Sequence, residues 1–265
     1  MDSLKKDNPV DFSESLTNFF VTVAGLTSFS LRFFKDVFVP PYEFGEIKKH
    51  MDDLGIKTMP IVTVAGFIIG LVLAMQSQPV MQRFGAESYL PSMVSLSVVR
   101  ELGPVLTALL FAGRVSSGIG AELGSMRVTE QIDAMEVSAV NPYKYLVVTR
   151  MLACIFILPL LTLYVDFLAI MGGFLAVKLS VGTTFQLYIN AIFKSLEFSD
   201  LIPGILKTFV FGYIVGAVGS YKGYNTENGT VGVGRASTSA VVMSSLLILL
   251  VDMVLVKITV WIWAS

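Results

Sequence analysis

The residues able to do chemistry in this chain are few, and most are charges set inside greasy sequence. Arg100 and Glu101 stand about nine residues into an apolar stretch, just ahead of Gly103 and Pro104. Lys207 enters another such stretch, and Asp252 and Lys257 lie five apart in the last one. A charge at the bilayer centre costs about 2.5–3.5 kcal/mol on insertion scales, so such side chains face a cavity, a partner or the interface. Arg100, Glu101 and Lys207 can line a polar patch that holds a charged headgroup while apolar walls receive acyl chains. The competing reading makes Arg100 and Glu101 an ion pair and Lys207 a snorkelling anchor. Arg114 reads as an interfacial anchor, as do Trp261 and Trp263 at the other face. Asp252 and Lys257 are badly spaced to pair along one helix and call for partners on others.

A second group of charges lies outside the greasy stretches. Residues 121–137, read as one helix, put Ala121, Val128, Ile132 and Met135 on one stripe and Arg127, Glu130, Asp133 and Glu136 on another. Four acids against one base make it net −3. Such a helix either inserts into a groove of a partner or is a solvated connector. Soluble catalytic signatures are absent: there is no Gly-x-x-x-x-Gly-Lys-Ser/Thr phosphate loop, no Gly-x-Ser-x-Gly elbow and no His-Glu-x-x-His. Residues 223–234 are glycine-rich without a correctly placed lysine and read as a turned loop. With one cysteine, Cys154, and one histidine, His50, neither a disulfide nor a familiar zinc site can be assembled. Cys154 reads as packing and His50 as solvated or facing headgroups. No catalytic or metal-binding residue and no cofactor of the chain's own is expected.

The elements that must position these residues are set by composition. Of 265 residues 54% are hydrophobic and 15% charged, with mean hydropathy +0.73 and formal charge −1. That excludes an ordinary soluble domain and gives no basic footprint for nucleic acid. A hydrocarbon core about 30 Å thick needs about 20 apolar helical residues. Five segments qualify, at about 58–82, 91–120, 145–177, 202–220 and 236–263. Residues 1–57 hold Phe12, Leu16, Phe19, Phe20, Val23 and Leu26 at helical spacing and suit a helix lying in the interface, with a sixth span over 15–31 as the alternative. The expected fold is an all-α integral membrane protein: an N-terminal interfacial segment, then one five-span domain over 58–265. An inward N-terminus puts eleven Lys or Arg on the cytoplasmic side and three outside. Gly66 with Gly70 and Gly212 with Gly216 read as close helix packing.

The run Arg100-Glu-Leu-Gly-Pro-Val-Leu-Thr-Ala-Leu-Leu-Phe-Ala-Gly-Arg114, the block Glu122-x-Gly-x-Met-x-x-Thr-Glu-Gln-x-Asp-Ala-Met-Glu136 and the late Gly234-Arg-Ala-Ser-Thr238 resemble the MlaE/YrbE family, permeases of ABC transporters that work with MCE proteins. The likeness runs from about residue 45 to the end. It implies a homodimer bound to a cytoplasmic ATPase, which carries the ATP and Mg, with a periplasmic MCE-domain hexamer, moving phospholipids between the inner and outer membranes of a diderm bacterium. It implies that 121–137 is the coupling helix, with Glu122, Gly124, Met126, Thr129, Glu130, Gln131, Asp133 and Glu136 facing the ATPase. It also matches Arg100, Glu101 and Lys207 to the lipid cavity, and Lys49 and Arg235 to basic positions tied to transport. The rival from another class is an ion-coupled secondary carrier relaying through Arg100, Glu101 and Asp252; a lipid-modifying enzyme is disfavoured by the lack of a nucleophile with an evident base.

Overall fold

The computed structural model describes residues 12–263, so the sequence reading of residues 1–11, including their part of the interfacial segment, lies outside the described residues. Two units are described separately, one up to Pro41 and one from Tyr42 onward. The first holds one helix, α1 (Phe12–Asp36), closed by an Arg32–Asp36 ion pair. Among the described residues five helical rods are long and apolar enough to cross a membrane, and α1 is not one of them.

The second unit begins with α2 (Phe44–Arg83), 40 residues long. The first span was expected to start at 58; the helix starts at Phe44, because charged and apolar residues alike are compatible with helix and nothing between Gly45 and Lys57 breaks it. The second rod, Glu87–Val128, is assembled from α3 (Leu90–Ser97), a π-helical turn Val98–Leu102, α4 (Gly103–Phe111), a second π turn Ala112–Ser116 and α5 (Ser117–Val128). A short α6 (Gln131–Val137) follows. A third π turn, Tyr143–Val148, leads into α7 (Thr149–Val181). Then come α8 (Phe185–Ser195), between the third and fourth expected spans, α9 (Phe198–Tyr224) and α10 (Gly229–Trp263). The glycine-rich stretch 223–234 is therefore mostly helix, with a turn of a few residues that Asn228 and Gly229 close in left-handed conformation.

Helix α7 is the hub: 67% of its most apolar window is buried, against 28% for α2 and 17% for α10. Glycines let its neighbours approach. A Cβ on Gly70 of α2 would overlap the Ala169 carbonyl of α7, and one on Gly172 of α7 the Phe67 carbonyl of α2. From the other side Gly212 and Gly216 of α9 press on Cys154 and Met151, so both small-residue pairs pack, and Cys154 is fully buried. In lipid this contact, rather than a hydrophobic driving force, holds helices together.

The break ahead of α4 has a local cause. Pro104 has no N–H, so the Arg100 carbonyl loses its donor four residues on, and the chain widens into the π turn, in which the Gly103 N–H reaches back to the Val98 carbonyl. Gly103 also leaves room for the Asp166 carboxyl of α7, which lies against it.

Candidate functional site

The widened turn aims Arg100 and Glu101 at the start of α9. Arg100 donates from Nε (2.7 Å) and from Nη2 to Asp200 Oδ1. Asp200 is 4% exposed, and its other oxygen accepts from the Glu197 backbone N–H at 3.0 Å, completing a capping box with Glu197 at the start of α9. About two turns further along, Lys207, also 4% exposed, donates to Glu101 Oε2 (2.7 Å) and Oε1 (2.8 Å), to Asp252 Oδ1 of α10 (3.1 Å) and to the Arg100 carbonyl (3.3 Å) that Pro104 orphaned. Three donors meet four acceptors, so the ammonium is fully spent.

The three sequence-predicted lipid-site residues thus come together, in pairings the sequence did not reveal. Arg100 and Glu101 are not each other's partner, since neighbours in a helix point apart. Lys207 is no snorkelling anchor: it is a buried cross-link between the second, fourth and fifth rods. Asp252 does find its partner on another helix. Asp200, Glu197 and Ser199 were missed; their only sequence signal was Glu197 and Asp200 at capping-box spacing.

Around this network lies a cavity of about 580 Å³ lined by Arg100, Glu101, Glu197, Ser199, Lys207 and Thr259 among others. Glu197 and Ser199 also line the edge of a second cavity of about 960 Å³, walled by Phe167, Ile170, Met171, Ile189, Phe193 and Leu201 of α7, α8 and α9. A charged chamber and an apolar groove therefore share one rim. Both lie within the size range of ligand sites.

The expected coupling segment is not one helix. Residues 121–128 continue α5; Thr129 N–H ends it on the Ser125 carbonyl at 3.0 Å, and Glu130 turns the chain at φ 59° before α6. No glycine or proline marks the break. Across it Arg127 pairs with Asp133, and Gln131 Nε2 donates to Thr129 Oγ1 at 2.9 Å. Thr129, Glu130, Gln131, Asp133 and Glu136 are exposed, Met126 is half-buried, and Ile132 is fully buried beneath α6. Two of the matched residues make contacts within the chain's own bundle instead. Gly124 packs on Thr226 in the α9–α10 turn, and Glu122 accepts from Arg150 of α7 at 2.7 Å. Arg150 is 4% exposed and also donates to the Leu146 carbonyl at 2.8 Å.

Arg114 donates to the buried Thr58 at 2.9 Å, and with His50, Glu122 and Arg150 it lines a cavity of about 240 Å³. His50 is therefore half-buried against charged neighbours rather than solvated. Lys49 is exposed and pairs with Glu46 at 3.4 Å, and Arg235 is exposed near the start of α10, about 26 Å of helix before Asp252. The structure does not bring these two into the Arg100 network. Among the described residues no group of His, Cys, Asp and Glu is placed to hold a metal ion.

The permease MlaE family profile matches residues 47–258. A probable ABC transporter permease protein of Rickettsia bellii is 42% identical over 229 residues, 86% of this chain and 88% of that one. The intermembrane phospholipid transport system permease protein MlaE of Haemophilus influenzae is 35% identical over 216 residues, 81% of this chain and 83% of its own. The chloroplastic protein TRIGALACTOSYLDIACYLGLYCEROL 1 of Arabidopsis thaliana is 30% identical over 78% of this chain and 59% of its own.

Proposed function

The chain belongs to the MlaE permease family, and from that membership we propose that it is the membrane subunit of an ABC transporter moving phospholipids between the inner and outer membranes of a diderm bacterium. The observation that carries the lipid reading is the shared rim: a charged chamber around Arg100 and Glu101 opening beside an apolar groove is the shape complement of an amphiphile. The chain sits in the inner membrane with its N-terminus in the cytoplasm. Two copies pair, because five rods enclose too little volume for a two-chain lipid and α10 leaves its apolar face open.

ATP and Mg belong to a separate cytoplasmic ATPase, on which α6 and the exposed Thr129, Glu130, Gln131, Asp133 and Glu136 dock. An MCE-domain hexamer receives the lipid on the periplasmic side. Nucleotide binding biases a two-state bundle through the α5–α6 bend, and the Arg100 chamber opens or closes at the far end of the same rod. Lys49 and Arg235 face the cytoplasmic leaflet.

The test is isolation in mild detergent with bound proteins and lipids identified, followed by ATP-dependent lipid transfer from proteoliposomes. Arg100→Glu is expected to cut co-purified phospholipid at least tenfold while the ATPase stays bound. Transfer driven by an ion gradient with no ATPase present would replace this reading with a secondary carrier.

A further inference from the structure

The chamber's charges do not suit every phospholipid. Around it stand Glu101, Glu197 and Asp200, with Asp252 behind Lys207, against two bases, Arg100 and Lys207, a formal excess of two negative charges. The distribution matters more than the total. Lys207 is exhausted on Glu101, Asp252 and the Arg100 carbonyl, so it has nothing to offer a phosphate. Arg100 spends Nε and Nη2 on Asp200 and keeps Nη1, and its side chain is 56% exposed in the chamber wall. One guanidinium edge is thus the single cationic donor open to a ligand. On the acidic side Glu197 is exposed and bridged to no base, accepting only from the α9 backbone and the Ser199 hydroxyl at 3.1 Å; Glu101 is paired with Lys207 through both oxygens, but its side chain is 43% exposed.

We propose that the chamber selects a phospholipid whose headgroup carries a protonated amine beside its phosphate, the phosphate on Arg100 and the amine on Glu197 and Glu101. This rests on the lipid reading above and adds the headgroup class. A headgroup with net negative charge meets one free cationic donor, the unpaired Glu197 carboxylate and the half-exposed Glu101, whose charge Lys207 already offsets; a zwitterion presents a phosphate to the first and an amine to the second. Charge-assisted hydrogen bonds of this kind are stronger than neutral ones.

The experiment uses the purified full chain in nanodiscs of neutral lipid, titrated with fluorescent phosphatidylethanolamine, its N-acylated form, which lacks the positive charge, and phosphatidylglycerol. Phosphatidylethanolamine is expected to bind about tenfold tighter than the other two, the scale of one charge-assisted hydrogen bond. Glu197→Gln, which keeps an acceptor for the α9 N-terminus, should bring it down to their level, and Glu197→Asp, an equally good cap, should restore it. Soluble phosphoethanolamine at the same concentration should not displace the lipid; displacement would mean that the ligand is a free amine and would overturn the proposal. Equal affinity for all three lipids, with binding still lost in Arg100→Ala, sinks the amine assignment and spares the lipid site. No retention of any phospholipid, with Arg100→Ala without effect, sinks both.

Discussion

Two ionic clusters sit on the same rod, one at Arg100–Glu101 and one at Glu122, separated by 22 residues or about 33 Å of helix, close to the thickness of a hydrocarbon core. At the Arg100 end a proline opens the helix, a buried lysine gathers two carboxylates and an orphaned carbonyl from two other rods, and a chamber surrounds them. At the Glu122 end one buried arginine meets one carboxylate, and the carboxylate is 55% exposed. The first cluster is held together by a cation that cannot be spared. The second is a clamp with one side open to water, and it lies next to the bend that we assign to ATPase docking.

The sharpest way to break this comparison is to remove the cation from each. Lys207→Ala leaves Glu101 and Asp252 facing each other with no counter-charge and the Arg100 carbonyl without a donor. Breaking a buried network of this kind costs about 3–5 kcal/mol, and loss of folded protein is expected in thermal unfolding of the detergent-solubilised chain. Adding Glu101→Gln and Asp252→Asn to Lys207→Met should recover much of that loss, since a neutral cluster has no uncompensated charge. If Lys207→Ala unfolds no more easily than the parent, the cluster is solvated and the cross-link reading is wrong.

The same operation at the other end should do less. Arg150→Met keeps most of the buried volume and frees a Glu122 carboxylate that can turn to water, so about 1–2 kcal/mol is expected, chiefly the lost hydrogen bonds. A loss equal to that of Lys207→Ala would show that the clamp, too, is closed to solvent.

Much of the fold was legible because apolar length and glycine spacing are local properties. The five rods, the opening ahead of Pro104 and the approach of Gly70 and Gly216 to α7 all follow from stretches of a few turns. The expected partners at the Arg100 end were not legible, because Arg100 and Asp200 or Lys207 and Asp252 are far apart in the chain and only the packed bundle decides which acid meets which base. The start of α2 at Phe44 was missed for a different reason: polarity marks where a helix leaves the membrane, not where it ends. The Thr129–Glu130 break was missed because its residues carry no breaker signal, so a continuous amphipathic helix was the natural reading of 121–137.

That break supplies the finest test of the comparison. Glu130 holds φ 59°, a left-handed conformation that costs a residue with a Cβ about 1–2 kcal/mol, and its side chain caps nothing at the start of α6. Glu130→Gly removes that strain and gives part of it back in unfolded-state entropy, so a gain of up to about 1 kcal/mol in stability is expected. Under the proposed coupling, the same substitution should lower ATP-dependent lipid transfer, since it deletes an exposed carboxylate and loosens the bend between α5 and α6. Glu130→Asn separates the two causes: asparagine tolerates the left-handed region and keeps the bend while removing the charge. Transfer retained in Glu130→Asn and lost in Glu130→Gly would assign coupling to the rigidity of the bend; loss in both would assign it to the carboxylate. Neither variant should change lipid retention at Arg100, because the strain at this end of the rod is local and the cation that holds the other end is untouched.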